Sequence, residues 1–110
     1  TQVETPQAVA NAEEIASIEG IDGLFVGPAD LNLRIANQPA GKKIDFEKSI
    51  EKVAAAAEKH GKVWGITAGS VEQIQRYRAM GAQMVPWGGD FALMNVLKNA
   101  SLELDEVPGA

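Results

Sequence analysis

Short apolar runs and amphipathic stretches alternate along the chain, and this alternation predicts an α/β fold. Four runs have the length of a strand and lack the strict apolar–polar alternation of a half-exposed strand: residues 1–5, 21–27, 62–67 and 82–87. A helical pattern follows each of them. Short apolar strands separated by helices are typical of a parallel sheet that is covered on both faces. We therefore expect about four β/α units with parallel strands.

Helix boundaries are marked by capping residues and by a change in polarity. Caps precede three of the predicted helices: Thr5, followed by Pro6; Asp45; and Ser70, with Gln73 three residues later in a capping box. The polar stretch 32–44 contains Gly and Pro and is expected to be an irregular connection. The last helix is expected from about Phe91 to Ala100, and residues 101–110 form an acidic tail.

Two architectures accommodate four β/α units. One is a small, open, doubly wound domain, and the other is half of a (β/α)8 barrel, since a whole barrel needs about 250 residues. The first strand has the composition of a strand end without its beginning. We therefore favour the C-terminal half of a single barrel domain for residues 1–100, followed by the tail at 101–110.

Composition excludes several classes of function. The chain has 110 residues and a formal net charge of −5, with no basic stripe, so a phosphate backbone would be repelled and a nucleic-acid partner is not expected. No apolar run approaches the 18 or so residues needed to span a bilayer, so no membrane partner is expected either. Cysteine is absent, which excludes disulfides and thiolate metal sites. These features are consistent with a cytoplasmic protein.

Two carboxylates follow neighbouring predicted strands. Glu4 ends the first strand, and Asp30 follows the second strand after a sharp Gly27–Pro28 turn. Adjacent strands lie about 4.8 Å apart, so two carboxylates on one rim repel each other unless a proton or cation lies between them. A hard divalent cation takes such oxygen ligands. The alternatives are an exposed strand-end acid at Glu4 and a carboxylate that only caps a helical turn at Asp30.

Other polar and aromatic residues have simpler interpretations. Gly88–Gly89 could bind an anion through backbone N–H groups or could form a tight strand-to-helix turn. Asp90 is expected to cap the last helix rather than to bind a metal. His60 is expected to be a solvated residue at a helix end. Trp64 and Trp87 lie in apolar strands and are expected to be packing residues.

Four segments together resemble a known family. "VETPQAVAN", "EGIDGLFVGPADL", "GKVWGI" and "YRAMGAQMV" occur in this order, and they resemble the C-terminal half of the HpcH/HpaI aldolases. The resemblance extends to about Ala100 and implies a (β/α)8 barrel. It also implies a metal-dependent class II aldolase, a carbon–carbon lyase that cleaves or forms 4-hydroxy-2-oxo acids from pyruvate and an aldehyde.

The resemblance implies roles for individual residues. Glu4 in "VET" and Asp30 in "GPADL" match the family's two metal ligands, and the metal would be Mg²⁺, Mn²⁺ or Co²⁺. The metal would chelate the carboxylate and keto oxygens of pyruvate and stabilise its enolate. Gly27, Pro28, Ala29 and Asp30 would form the substrate-binding turn, with backbone N–H groups around Ala29 and Asp30 holding the pyruvate carboxylate.

The sequence departs from the family pattern at several positions. The family's catalytic His and substrate-binding Arg lie upstream of "VET", so the resemblance implies no catalytic residue in this chain and little activity for the chain alone. Asn32 stands where Ser is common. Pro86 and the bulky Trp87 stand where small residues are usual, and we expect them to narrow the substrate pocket.

The last predicted helix is apolar around much of its circumference. Its apolar residues are Phe91, Ala92, Leu93, Met94, Val96, Leu97 and Ala100. A helix that covers one side of a barrel needs a single apolar stripe. We therefore expect a homo-oligomer with Leu93 and Val96 in the subunit contact, as the family resemblance also implies. The alternative is a helix covered by the acidic tail.

Two other functional hypotheses remain open. One is a small stand-alone α/β binding module that uses a strand-end carboxylate, although the last predicted strand lacks the Lys that a receiver-type domain needs. The other is a different barrel enzyme that binds phosphate at Gly88–Gly89. The latter predicts an anion at the start of the last helix and no cation between Glu4 and Asp30.

Overall fold

The computed structural model describes residues 1–109, which form three strands and six helices. The strands are β1 (Gln2–Val3), β2 (Gly23–Val26) and β3 (Val63–Ile66). The helices are α1 (Pro6–Ala10), α2 (Ala12–Ser17), α3 (Pro28–Ala36), α4 (Phe46–Lys59), α5 (Val71–Ala79) and α6 (Asp90–Asp105). Each of the three strands is followed by two helices, and the fold is of the α/β class.

The strands form one parallel sheet in the order β1-β2-β3. Val3 pairs with Val26, and Val26 pairs in turn with Ile66. The three strands therefore end at the same level, and their carboxyl ends meet at one edge of the sheet. This arrangement confirms the prediction of parallel, sequentially adjacent strands.

The predicted helix caps are present. They are Thr5 Oγ1, which accepts from Ala8 N at 3.0 Å; Asp45 Oδ1, which accepts from Lys48 N at 2.8 Å; and Ser70 Oγ, which accepts from Gln73 N at 3.2 Å. The return half of the capping box differs from the prediction. Gln73 Oε1 accepts from the backbone N–H of Gly69 at 2.7 Å, one residue before Ser70. Each cap satisfies a helical N–H that would otherwise lack a partner.

The fourth predicted strand, 82–87, is not formed as a strand. The segment runs beside β3 but makes only isolated parallel bridges. Ile66 N donates to Met84 O at 3.0 Å, and Ala68 N donates to Pro86 O at 2.9 Å. In a parallel ladder the N–H of residue 86 would donate to the Ile66 carbonyl between these two bonds. Pro86 has no N–H, so the ladder is interrupted there.

The irregular connection predicted for 32–44 is also corrected. Its first part belongs to α3, which runs over nine residues from Pro28 to Ala36. Leu31 and Ile35, four residues apart, face the core from this helix. This burial stabilises a helix that the Gly and Pro content of the stretch argued against, and the irregular connection is limited to 37–45.

One face of the sheet carries the hydrophobic core. Its side chains are almost completely buried, and they pack with apolar residues of α1, α2 and α4: Val3, Leu24, Val26, Trp64 and Ile66. The opposite face is more open, since Gln2 is exposed and Phe25 and Val63 are half-buried. The described chain therefore covers one face of the sheet fully and the other only in part.

Helix α6 extends away from the rest of the molecule. All of its residues are exposed, and it continues five residues beyond the Ala100 end expected from sequence, to Asp105. The Cα radius of gyration is 17.8 Å, and the extents are 63 × 33 × 23 Å. A compact chain of this length has a radius of gyration of about 13 Å. Neither α6 nor any other helix within residues 1–109 has the length and apolarity needed to cross a membrane.

Gly65 is required by the close approach of the 82–87 segment. A Cβ at this position would lie 2.6 Å from Met84 Cβ and closer still to the Met84 carbonyl oxygen. We expect Gly65→Ala to lower the free energy of unfolding by about 2 kcal/mol, since backbone must shift to relieve the overlap. Urea denaturation followed by circular dichroism measures the change.

Gly69→Ala is the matched control for this substitution. A Cβ on Gly69 would meet only Gln73 Oε1, at 3.4 Å. We expect this variant to unfold within about 0.5 kcal/mol of the wild type. Equal midpoints for the wild type and Gly65→Ala would contradict the assigned contact.

Candidate functional site

Three residues form a row at the carboxyl ends of the strands. The last paired residues of β1, β2 and β3 lie side by side, and the next residues along the chain are Glu4, Gly27 and Thr67. Successive residues of a strand point to opposite faces, so this row lies on the face opposite to the core. All three residues are half-buried.

The Glu4 carboxylate lies directly against Gly27. A Cβ on Gly27 would come within 2.6 Å of Glu4 Oε1 and 2.7 Å of Glu4 Cγ. The backbone N–H of Gly27 also donates to the Val3 carbonyl at 3.2 Å. Gly27 therefore leaves a notch into which the Glu4 side chain fits, and any larger residue there would displace the carboxylate.

Asp30 lies in the first turn of α3, immediately beyond this notch. Gly27 is the N-cap residue of the helix and Pro28 is its first residue, and no side chain in the described part of the chain caps it. Asp30 is exposed. The Gly27–Pro28 turn brings this helix end next to the end of β1, so two carboxylates from neighbouring β/α units belong to one rim of the sheet.

The amino end of α3 also presents free backbone donors. Leu31 N donates to Gly27 O at 3.0 Å, whereas the N–H groups of Ala29 and Asp30 have no acceptor within the described part of the chain. Pro28 has no N–H. Two adjacent donors at a helix amino end favour a carboxylate or similar anion.

The chemistry of this rim fits a hard divalent cation. It offers carboxylate oxygens from Glu4 and Asp30. Because Gly27 has no side chain, residue 27 does not cover the Glu4 carboxylate. No group of three or more His, Cys, Asp or Glu side chains is gathered anywhere in residues 1–109. A cation held here would have two protein ligands and would retain several coordination positions for water or for oxygens of a small acid.

The start of α6 is consistent with the tight turn considered for Gly88–Gly89, but it differs from the capping role expected for Asp90. Gly88 and Gly89 have φ of +87° and +112°, and Gly89 rather than Asp90 is the N-cap residue. Asp90 Oδ1 accepts from Phe91 N at 2.9 Å. The Asp90 carboxylate already interacts with this helix end, and its negative charge would repel a phosphate bound there.

His60 and Trp87 lie away from the rim row. His60 follows α4 and precedes β3, which places it at the amino end of the sheet, opposite to Glu4. It is half-buried rather than solvated as expected, and its Nε2 is shielded from solvent and has no hydrogen-bond partner among residues 1–109. Trp87 bridges Ala68, which belongs to the core face. Trp87 is 61% exposed, so it is not the packing residue that the sequence predicts. Its pairing also places it on the side of the sheet opposite to Glu4, which does not support the expected narrowing of the pocket.

The structure adds a feature that the sequence patterns did not indicate. A groove of about 570 Å³ lies between the start of α1 and one side of α3. Its lining includes Thr5, Pro6, Gln7, Asp30, Leu33, Arg34, Asn37 and Gln38. The i, i+4 spacing of Asp30 and Arg34 was the available signal, since it places both on one side of a helix. The expectation of an irregular connection at 32–44 obscured it.

A protein-family model now identifies the chain's family. The model described as HpcH/HpaI aldolase/citrate lyase matches residues 1–95. The chain belongs to this family. Among curated relatives it is 37% identical over 103 residues to the "5-keto-4-deoxy-D-glucarate aldolase" of Shigella dysenteriae, covering 94% of this chain and 39% of that protein. It is 34% identical over 101 residues to the "Hydroxypyruvate/pyruvate aldolase" of Delftia acidovorans, covering 92% of this chain and 38% of that protein.

The similarity extends to solved structures. The HpcH/HpaI aldolase from Desulfitobacterium hafniense DCB-2 superposes with a TM-score of 0.78 at 27% identity, covering 98% of this chain and 42% of that one. This chain therefore spans about two fifths of the length of the curated relatives and of the structure that it matches. The glutamate–aspartate rim lies within the part matched by the family.

Proposed function

We propose that this chain is part of a metal-dependent aldolase, a carbon–carbon lyase that cleaves or forms 4-hydroxy-2-oxo acids. Family membership and relatives named as aldolases support this reaction class. The observation that carries the proposal is the seating of the Glu4 carboxylate over Gly27, beside a helix whose first turn carries Asp30. The expected substrates are pyruvate and an aldehyde.

We propose further that residues 1–100 form the C-terminal half of a (β/α)8 barrel. The parallel order β1-β2-β3, the partly open second face of the sheet and the coverage of about two fifths of the relatives support this arrangement. In a closed barrel the open face would become the interior. The rim with Glu4, Gly27 and Asp30 would then surround the mouth, where barrel enzymes place their active sites.

In this proposal, different groups of the rim bind the cation and the substrate. Glu4 and Asp30 hold the cation, Mg²⁺, Mn²⁺ or Co²⁺, which when bound supplies Lewis acidity toward a keto oxygen. The free N–H groups of Ala29 and Asp30 hold the carboxylate of a 2-oxo acid. The Gly27–Pro28 turn brings these donors to the same rim as the Glu4 carboxylate.

The metal assignment predicts that two aspartates in the first turns of helices differ in their effect on metal affinity. In the protein with its complete barrel, we expect Asp30→Asn to weaken Mn²⁺ binding at least tenfold because an anionic oxygen ligand is lost. Asp90→Asn, the matched control at the start of α6, is expected to leave the affinity unchanged. Isothermal titration calorimetry with Mn²⁺ measures both. Equal losses in the two variants, or no Mn²⁺ binding by the wild type, would exclude the assignment.

The family resemblance assigns the acid–base His and the substrate-binding Arg to sequence upstream of Val3. Such groups contribute about 10²–10⁴-fold each to turnover. We therefore expect the 110-residue chain alone to show no appreciable retro-aldol turnover of 4-hydroxy-2-oxoglutarate with Mg²⁺ present. A coupled assay for released pyruvate tests this, and robust turnover would contradict it.

We also propose that α6 is a subunit contact in a homo-oligomer. Its exposed apolar side chains lie on several sides of the helix and include Phe91, Leu93, Met94, Val96, Leu97, Leu102 and Leu104. Leu93 and Val96 are 61% and 64% exposed, respectively. Contiguous apolar surface of this kind marks interaction sites, and the extension of α6 away from the sheet leaves it accessible to a second copy.

Light scattering tests this contact. We expect the wild type to be an oligomer and the Leu93→Glu, Val96→Glu double variant to dissociate, since charges would be buried in an apolar interface. A double variant at polar positions of the same helix, Asn95→Glu with Asn99→Glu, is the matched control and should dissociate less. A monomeric wild type, or an unchanged mass for the Leu93–Val96 variant, would contradict the proposal.

A further inference from the structure

Another cavity lies at the amino end of the sheet, between β3 and the carboxyl ends of α4 and α5. Its volume is about 390 Å³, which is within the range of pockets that bind small molecules. Lys62 and Trp64, at the start of β3, belong to its lining. Because the strands are parallel and Glu4 follows the end of β1, this cavity and the proposed metal-binding rim lie at opposite ends of the sheet.

The indole of Trp64 brings a buried donor to this cavity. Trp64 is only 3% exposed, and its Nε1 lies 3.8 Å from the position that a Cβ on Gly81, another lining residue, would take. Within residues 1–109 this Nε1 has no acceptor, yet it is not sealed from solvent, as the unpartnered Nε2 of His60 is. The N–H is therefore open to the cavity. A buried indole N–H ordinarily has a hydrogen-bond partner, so this one favours a ligand with an acceptor oxygen.

Two further donors line the same cavity. Gln83 Oε1 accepts from the backbone N–H of Trp64 at 3.3 Å, and the Nε2 group of Gln83 has no acceptor in the described part of the chain. Lys62 is half-buried, and the ion pairs found in residues 1–109 do not include it. An indole N–H, an amide and an ammonium group together suit the oxygens of a carboxylate.

The α4 side of the cavity has the opposite charge. Glu58 lies in the last turn of α4 and lines the cavity, and it forms no ion pair with Lys62 or with any other residue in the described range. The carboxyl end of α5 reaches the same cavity through Met80. The carboxyl end of a helix carries a partial negative charge that favours a cation. This side of the cavity therefore suits the ammonium group of a ligand.

We propose that this cavity binds a free α-amino acid with an apolar side chain. The ligand carboxylate accepts from Trp64 and Lys62, and its ammonium group faces Glu58. Its side chain packs against Ala54 and Met80, which are half-buried lining residues. A simple acid would leave Glu58 unpaired, and a simple amine would leave the indole N–H unpaired. The inference goes beyond the proposed function, because none of these residues belongs to the metal-binding rim.

Three probes that share a carbon skeleton separate the two charges. L-Leucine carries both, 4-methylpentanoate lacks the ammonium group, and 3-methylbutylamine lacks the carboxylate. In the complete protein, we expect calorimetry to show about tenfold tighter binding of leucine than of either analogue, which corresponds to one charge-assisted contact. Absence of leucine binding, or equal affinities for leucine and 4-methylpentanoate, would overturn the proposal.

Trp64→Phe removes the N–H and keeps an aromatic ring in the core. We expect this variant to bind leucine about tenfold more weakly and to bind 3-methylbutylamine as the wild type does. Trp87→Phe changes the other tryptophan of the chain, which is exposed and lies outside the cavity lining. It is the matched control and should bind leucine with unchanged affinity.

Glu58→Gln is the complementary variant, at an exposed position where folding is not disturbed. It should weaken the binding of leucine and of 3-methylbutylamine while leaving 4-methylpentanoate unaffected. Glu51→Gln, at an exposed position of the same helix, is its control. Unchanged leucine affinity in Trp64→Phe or in Glu58→Gln would refute the assigned contacts, whereas the proposed function is tested separately by Mn²⁺ binding at the rim.

Discussion

The parallel pairing of β1, β2 and β3 is the constraint on which the rest of the structure depends. Because Val3, Val26 and Ile66 end at one level, the chain leaves all three strands at the same edge of the sheet. A slip of one residue between β1 and β2 would move Glu4 to the core face. The same register buries Val3 and places the half-buried Glu4 on the opposite face, so the packing of the core and the composition of the rim are determined together.

Local chemistry explains which parts of the fold were predictable. Thr5, Asp45 and Ser70 have side chains that cap a helix by themselves, and their predicted roles are confirmed. The predicted fourth strand does not form because Pro86 has no N–H to donate, and this interrupts the hydrogen-bond ladder. The apolar pattern alone favours a strand there and does not register the missing N–H. The extent of α3 was missed because burial of Leu31 and Ile35 depends on tertiary packing that is absent from a local pattern.

The candidate site was likewise predictable from sequence only in part. The placement of Glu4 and Asp30 at one edge follows from the alternation of strands and helices, and the structure has both at that edge. The contact between Glu4 and Gly27 depends on the cross-strand register, which periodicity does not determine. The exposed position of Trp87, beyond the end of the core, likewise depends on its pairing with Ala68. The metal and the substrate remain predictions from chemistry and family resemblance.

The outer segment beside β3 has a consequence for how the chain behaves in solution. Its hydrogen-bond ladder is interrupted at Pro86. Long, regular edges allow strands of separate molecules to add to one another and grow into fibrils, whereas prolines at an edge prevent it. This edge of the folded chain therefore offers little template for fibril growth, even with one face of its sheet partly open.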